Sequence, residues 1–296
     1  MRLASIDIGT NSTRFLVAEV ENDGLSLIKS GLMTTRLGQG INHGKLLIEA
    51  MERTVEAIEA FLGEIATHNP RAIILAATSA VRDAGNKDEF LQLVLARTGL
   101  QVKVYSGEKE AAASYHGVLS GLPLVGENTV VLDVGGGSTE FIWQNEQGIR
   151  YVSLPLGAVR MTEGAYSEEN MREIMATTLG KIKDQLKGNV SLVAVGGTAT
   201  TLAAMSLGSV TYQPELVHGY FLTTEEIKRL LKLLLETNLE DRKKIVGLQP
   251  QRADIIPAGV TIVKNVVEGL SLAGLTVSES DILQGLILEL YQELSQ

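Results

Sequence analysis

Short apolar runs alternate with amphipathic stretches along the chain. Residues 3–20 read as two buried strands on either side of a polar turn at 9–12, and residues 46–62 have the i, i+3, i+4 apolar spacing of an amphipathic helix. The same kind of pattern predicts further strands at 25–29, 72–77 and 102–105, and helices at 87–97 and 108–119. Strands and helices in this order indicate an α/β domain.

A second α/β pattern begins after the Gly-Leu-Pro sequence at 121–123. Residues 130–134 have the composition of a buried strand, three glycines follow, and residues 140–144 read as a strand running back. The remaining patterns predict a strand at 192–195 and helices at 168–186, from 198, at 224–236, 239–246, 258–272 and 281–294. The length of 296 residues also suits two domains. We therefore predict one domain over 1–123 and a second over 124–296, with the C-terminal helix able to pack back on the first.

Composition narrows the chemistry that the chain can carry. It has no cysteine, which argues against a disulfide framework, a thiolate nucleophile and a cysteine zinc site. The formal net charge of −9 argues weakly against a nucleic-acid partner, because phosphate backbones are held mainly by Lys and Arg. A site for a small anion must then use a few placed cations, backbone N–H groups and metal ions.

The apolar runs also bear on location. Asp7 interrupts the first run, which therefore reads as a buried strand rather than a signal peptide. No run reaches the roughly 18 consecutive apolar residues of a membrane span. We expect a soluble, cytoplasmic protein without a membrane partner.

The two predicted domains begin alike. Residues 6–15 and 132–141 align without a gap, at an offset of 126 residues, and Asp, Gly, Ser, Thr and Phe coincide at five of the ten positions. A match at the start of each predicted domain favours duplication over chance. The useful difference is Arg14 in the first copy against Glu140 in the second.

Each copy reads as a strand ending in Asp, a Gly-rich turn with hydroxyl groups, and a second strand. Glycine lets the backbone approach a phosphate closely, and successive turn N–H groups form an anion-binding concavity to which Ser or Thr adds donors. The strand-end carboxylates, Asp7 and Asp133, can hold Mg²⁺ or orient its waters. The alternative is a pair of ordinary hairpins, which two matching copies make less attractive.

Three other segments are candidates for the same chemistry. Gly196, Gly197 and Thr198 follow a predicted strand and open a helix, where free N–H groups bind anions, although a tight junction with Thr198 as N-cap explains them equally well. Arg82 follows another buried strand and could bind phosphate with two N–H groups, or lie on the surface beside Asp83. Arg36 is a weaker candidate of the same kind.

The first turn of the helix predicted at 108–119 contains two acids. Glu108 and Glu110 complement the helix dipole, which explains them without a function. They lie about 200° apart around the helix, so one of them could face a site and activate water as a general base.

Together these residues resemble the exopolyphosphatase/guanosine pentaphosphate phosphohydrolase (Ppx/GppA) family, in a short form. The resemblance rests on motifs that occur in family order at Asp7–Arg14, Thr78–Asn86, Ser106–Ala111, Asp133–Glu140, Gly196–Thr198 and Arg252–Gly259.

The resemblance implies two ribonuclease-H-like domains of the actin/Hsp70/sugar-kinase superfamily with an interdomain cleft. It implies a hydrolase that removes the terminal phosphate of a phosphoanhydride chain with Mg²⁺, or alternatively Mn²⁺. Glu110 would be the general base, and Asp133 and Glu140, with Asp7, would serve the metal. The phosphate-binding residues would be Asn11, Ser12, Arg14, Arg82, Gly136, Gly137, Ser138, Gly197 and Thr198.

One departure affects the substrate. Long family members carry an additional HD-type helical domain, and we expect this chain to lack it. The expected substrate is inorganic polyphosphate, with guanosine pentaphosphate (pppGpp) as the alternative. A non-catalytic polyphosphate or nucleotide sensor and a kinase of the same superfamily are the rival classes. Apolar faces on the later helices suggest a homodimer.

Overall fold

The computed structural model of the chain describes residues 1–21, 24–39, 44–122, 128–186 and 190–295. They divide into two compact units. Unit 1 contains Met1–Ser120 together with Asp281–Gln296, and unit 2 contains Gly121–Ser280. The predicted boundary between residues 123 and 124 falls outside the described residues and stays a prediction.

Unit 1 is built on a five-stranded sheet. Its strands are β1 (Arg2–Ile8), β2 (Thr13–Glu21), β3 (Gly24–Met33), β4 (Ala72–Ala77) and β5 (Val102–Val104), in the order β3-β2-β1-β4-β5. The first three strands form an antiparallel meander, and β4 and β5 add to β1 in parallel. Its helices up to the boundary are α1 (Ile48–Ala66), α2 (Ser79–Arg82), α3 (Lys87–Thr98) and α4 (Gly107–Gly121).

Unit 2 repeats this arrangement. Its strands are β6 (Thr129–Val134), β7 (Thr139–Asn145), β8 (Gly148–Leu154), β9 (Ser191–Val195), β10 (Phe221–Thr223) and β11 (Gly274–Val277). The sheet order is β10-β11-β9-β6-β7-β8, so a meander again precedes parallel strands, and β10 is an extra antiparallel edge. This common strand order supports the duplication inferred from the two loops.

The helices of unit 2 vary in length. They are α5 (Ala158–Glu163), α6 (Glu168–Gln185), α7 (Gly196–Leu207), α8 (Pro214–Val217), α9 (Thr224–Glu236), α10 (Leu239–Arg242) and α11 (Ile256–Gly269), with a 3-10 turn at Pro250–Arg252. Thr223 caps the start of α9: its side chain accepts the N–H of Glu226.

The C-terminal helix, α12 (Ile282–Ser295), packs on the sheet of unit 1. Leu286 and Ile287 are buried with Leu3 and Leu16 on one face of this sheet. On the opposite face, α1 and α3 cover alternate strand residues such as Ile6. The sequence-based range 124–296 included this helix in the second domain but allowed it to pack back on the first. The structure groups it with the first because its apolar stripe matches the second face of that sheet.

Three strands have no counterpart among the predicted ones. Most residues of β8 are only half-buried, and β10 and β11 have just three and four residues, so none of them produces a clear alternation of apolar and polar positions. The helix predicted at 239–246 ends earlier, at Arg242. Within the described ranges, no helix combines the length and the apolar character that crossing a membrane requires.

Candidate active site

The hairpin between β6 and β7 presents the second loop. Asp133 lies directly opposite Glu140 in the antiparallel ladder, and the N–H of Gly135 donates to the carbonyl of Ser138 at 3.0 Å, which closes the turn. The three peptide planes between Gly135 and Ser138 are oriented by α5. Carbonyls of Gly135 and Gly136 accept backbone N–H groups of Ala158, Val159 and Arg160 at 2.9–3.0 Å.

This orientation decides where the loop amides point. In a planar trans peptide the N–H is antiparallel to the preceding carbonyl. Because the carbonyls of Gly135, Gly136 and Gly137 face α5, the N–H groups of Gly136, Gly137 and Ser138 face away from it. None of these three N–H groups donates to a backbone acceptor in the described part of the chain. Successive N–H groups on one side of a turn form an anion-binding concavity.

Two carboxylates stand at the ends of the strands that carry this loop. Glu140 accepts a hydrogen bond from the Ser153 hydroxyl at 2.7 Å, across the next ladder. Asp133 is half-buried, and Gly196 passes directly beside it: a Cβ on Gly196 would lie 2.6 Å from Asp133 Oδ1. Gly196 also has φ of +80°, a conformation that favours glycine.

Gly196→Ala is expected to damage the site through both effects. The methyl group must displace the Asp133 carboxylate, and left-handed backbone costs a non-glycine residue about 1–2 kcal/mol. We expect a lower melting temperature, measured by differential scanning calorimetry, together with a loss of phosphate release. The control is Gly180→Ala within α6, where an added Cβ meets no atom within 4 Å. That variant should be stabilised by about 0.5–1 kcal/mol; equal melting temperatures for both variants would contradict the argument.

The Gly197–Thr198 segment differs from its prediction in two ways. Helix α7 begins at Gly196 with Val195 as N-cap, so Thr198 is not the cap. The Thr198 side chain is 3% exposed, and its hydroxyl donates to the carbonyl of Val134 at 3.1 Å. This geometry favours a structural role, joining α7 to β6, over the predicted phosphate contact of Thr198.

Gly197 lies against the guanidinium of Arg252, for which the sequence predicts no individual role. A Cβ on Gly197 would lie 1.8 Å from Nη1 of Arg252. The Arg252 Nε donates to the Gln249 side chain at 3.1 Å, and burial lowers the pKa of Arg252, with Tyr212 acting in the opposite direction. The absence of a side chain at Gly197 therefore lets a guanidinium approach this turn, which only the fold reveals.

The first loop, between β1 and β2, has the same design. The N–H of Gly9 donates to the Ser12 carbonyl at 3.0 Å, as in the second loop. Carbonyls of Thr10 and Asn11 accept the N–H groups of Gly38 and Arg36, both at 2.8 Å. The N–H groups of Asn11 and Ser12 consequently point the other way, as an anion site requires.

Arg14 and Asp7 form an ion pair within the first hairpin. They lie opposite each other in the ladder, and Arg14 donates to Asp7 Oδ2 through Nε at 3.2 Å and Nη2 at 2.7 Å. Its Nη1 donates to Asp281, the residue before α12. This bridge competes with the phosphate contact predicted for Arg14 and with the metal contact predicted for Asp7.

Electrostatics agree with a closed ionic bridge. Burial alone would lower the pKa of Arg14, but the carboxylates of Asp281 and Asp7 outweigh it and raise that pKa. Burial raises the pKa of Asp7 above its ordinary value, while the Arg14 guanidinium opposes the change. The guanidinium therefore stays charged between its two acids.

Arg82 and Glu110 lie together in unit 1. Nη1 of Arg82 donates to Glu110 Oε2 at 2.9 Å and to the carbonyl of Tyr105 at 3.1 Å. The Ser79 hydroxyl, at the start of the helix that ends in Arg82, shares a 2.9 Å hydrogen bond with Thr10 of the first loop. Glu110 is thus fixed in direction and connected to the loop, whereas Glu108 is exposed.

Comparison with known proteins places these features in a family. Residues 16–294 match the Ppx/GppA phosphatase family. A bifunctional 3-dehydroquinate synthase/phosphatase of Fusobacterium nucleatum is 38% identical over 97% of this chain, which spans 46% of that protein. Exopolyphosphatase 2 of Mycobacterium tuberculosis is 30% identical, over 98% of both chains.

Two further likenesses extend the comparison. A guanosine-5'-triphosphate,3'-diphosphate pyrophosphatase of Vibrio parahaemolyticus is 30% identical over 99% of this chain and 60% of its own length. The solved structure of the Aquifex aeolicus Ppx/GppA family member superposes with a TM-score of 0.87 at 32% identity, covering 100% of this chain and 99% of that one. The predicted resemblance and the predicted fold class, with two ribonuclease-H-like α/β domains of the actin-like superfamily, are confirmed. The chain belongs to the Ppx/GppA phosphatase family.

Proposed function

We propose that this chain is an exopolyphosphatase, which hydrolyses the terminal phosphoanhydride bond of inorganic polyphosphate and releases orthophosphate. The observation that carries the proposal is the arrangement of the second loop. The N–H groups of its three turn residues point away from α5, and the carboxylates of Asp133 and Glu140 lie at the ends of the two strands that carry the loop. That combination suits a substrate that is at once an anion and a metal ligand. Exopolyphosphatase 2, similar over nearly the whole chain, supports the same substrate class.

In the proposed reaction, water attacks the terminal phosphorus in line with the bridging oxygen. The new P–O bond forms as the bridging P–O bond breaks, and the shortened chain leaves with the bonding electron pair. Glu110 takes the proton of the attacking water, and Arg82 holds the carboxylate by its other face through the 2.9 Å bond. The amides of the second loop bind the non-bridging oxygens, so that most of the catalysis comes from positioning and electrostatics.

Asp133 and Glu140 fit Mg²⁺ as partial ligands. No cluster of three or more His, Asp or Glu side chains in the described ranges forms a complete protein cage. Mg²⁺ commonly keeps several waters and takes one or two carboxylates plus substrate phosphate oxygens, so two facing carboxylates beside the phosphate loop suit it. Bound there, the ion would neutralise charge on the phosphoanhydride; Mn²⁺ is the alternative.

Asp133→Asn is expected to weaken metal dependence. Removing a residue that only hydrogen-bonds to a metal ligand lowers metal affinity by about 10–100-fold. Removing a ligand itself should therefore lower the affinity by at least that factor. We expect the Mg²⁺ concentration for half-maximal phosphate release to rise correspondingly. Asp184→Asn on the exposed side of α6 removes the same charge from the same unit and should leave this concentration unchanged. An unchanged requirement in Asp133→Asn would remove that residue from the metal site.

The second candidate substrate is pppGpp, because the Vibrio relative is named for guanosine 5'-triphosphate 3'-diphosphate as its substrate. The deciding experiment measures orthophosphate release with Mg²⁺ from short polyphosphate, long polyphosphate, pppGpp and ATP. Release from polyphosphate at the highest kcat/KM supports the proposal, and preference for pppGpp replaces it with the alternative. Binding of these anions without any release would mean a sensor, and transfer of the phosphoryl group to another acceptor would mean a kinase.

We also propose a homodimer in the cytoplasm, without nucleic-acid or membrane partners. Leu233 and Leu235 of α9 are 40% and 63% exposed, which supports association through a later helix. Analytical ultracentrifugation of the purified chain tests the dimer, and a monomer at micromolar concentration would contradict it.

A further inference from the structure

Arg160 makes an unusual contact with the second loop. It lies in α5, and its Nε donates to the carbonyl of Gly137 at 2.8 Å. The carbonyls of Gly135 and Gly136 are held by backbone N–H groups at the start of the same helix. Within the residues that the structure describes, the carbonyl of Gly137 accepts no such backbone N–H. It accepts the side-chain Nε–H of Arg160 instead.

The peptide between Gly137 and Ser138 needs such a partner. Rotation of this peptide plane changes ψ of Gly137 together with φ of Ser138, and the missing Cβ of Gly137 leaves the first of these angles little restricted. Rotation of this plane by half a turn would point the Ser138 N–H toward α5 and the Gly137 carbonyl toward the anion. A carbonyl oxygen aimed at a phosphate is repulsive, so the loop would lose a donor and gain an acceptor in the same movement.

We propose that Arg160 is a positioning residue for the second loop: it holds the Gly137 carbonyl so that the Ser138 N–H points at the bound phosphate. The inference rests on the proposed function of this loop and adds a residue to it. Arg160 contacts the carbonyl side of the loop, so its role is the hydrogen bond to the backbone and not a charge on the substrate.

Substitution of Arg160 by Gln or by Met, two side chains of similar length, separates the hydrogen bond from the charge. Gln places an N–H donor as many bonds from Cα as Nε of Arg, but without charge. Met has similar length and no donor. We therefore expect Arg160→Gln to stay within about threefold of wild-type kcat/KM, whereas Arg160→Met should lose about tenfold or more, a part of the 10²–10³-fold that removal of a transition-state donor costs. Arg160→Lys serves as the variant that keeps the charge.

A second measurement does not depend on turnover. Titration with orthophosphate, followed by the ¹⁵N–¹H signal of Ser138, should shift that amide in the wild type and in Arg160→Gln, and should shift it much less in Arg160→Met. Arg229→Met on α9 removes an exposed Arg elsewhere in unit 2 and is the matched control. Equal melting temperatures exclude a general folding defect.

The outcomes are distinct. If Arg160→Met matches the wild type in both measurements, or if Arg160→Gln falls as far as Arg160→Met while Arg160→Lys is retained, the positioning role is overturned. A wild-type chain that releases no phosphate from any phosphoanhydride defeats the proposed function instead, and the Ser138 titration still decides the role of Arg160.

Discussion

Glu110→Gln should lower kcat for phosphate release by about 10²-fold or more, with little change in KM, because a positioned general base contributes about 10²–10⁴-fold. Gln keeps an oxygen that can accept the 2.9 Å hydrogen bond from Arg82, so the local structure is retained and only the proton acceptor is lost. Steady-state kinetics on short polyphosphate measures both parameters. The substitution isolates chemistry from binding, since substrate contacts made equally in the ground and transition states would appear in KM.

The neighbouring acid supplies the control for this experiment. Glu108→Gln makes the same chemical change on an exposed position of the same helical turn and should leave kcat within about twofold of wild type, as expected for a surface substitution. If Glu110→Gln hydrolyses polyphosphate at the wild-type rate, another group takes the proton of the attacking water. If both variants are equally slow, the loss of activity comes from a general disturbance of the first turn of α4 and not from the loss of a specific base.

Arg14→Gln should destabilise unit 1 by about 3–5 kcal/mol, the range measured when one partner of a buried ion pair is removed. Both carboxylates that face Arg14 are largely buried, with side-chain exposures of 8% for Asp7 and 13% for Asp281. Without the guanidinium they repel each other in a poorly solvated setting. Urea denaturation measures the loss as a lower midpoint.

A paired substitution tests the cause. Adding Asp7→Asn to Arg14→Gln removes one of the two orphaned charges and should recover part of the stability, which is the non-additivity expected of residues in one network. Arg71→Gln, on an exposed position of the same unit, should change the midpoint little. An Arg14→Gln midpoint equal to wild type, combined with a large rise in KM, would restore the phosphate contact predicted for Arg14.

The predicted elements agree best with the observed ones where the sequence signal lies within one continuous segment. The strand at 72–77 and the helix at 224–236 agree with β4 and α9 because their apolar spacing is regular over the whole element. The two hairpin loops were also recognisable, since all the residues of each turn are contiguous. Half-buried or short elements such as β8 and β11 gave no such signal.

Individual roles at the site depended on partners far away along the chain. The sequence left open whether Thr198 binds phosphate or has a structural role, and only the structure shows that its hydroxyl donates to the carbonyl of Val134. Arg160 and Arg252 carried no sequence signal for their contacts with Gly137 and Gly197. Contacts of this kind arise when separate elements pack, and no local periodicity encodes which side chain will meet which turn.

The paired Gly-rich loops, their shared Asp and their 126-residue offset were determined by sequence alone, because each motif specifies its own backbone turn. The sequence also showed that Arg14 in the first copy corresponds to Glu140 in the second, and only the tertiary structure decided what each of them contacts. In the first, Arg14 reaches Asp281 across 267 residues and becomes part of a buried ionic bridge. In the second, Glu140 faces Asp133 and leaves two acids beside the loop. The physical reason is that Arg14 and Asp7 carry opposite charges across the first ladder and attract each other, whereas Glu140 and Asp133 carry like charges across the second.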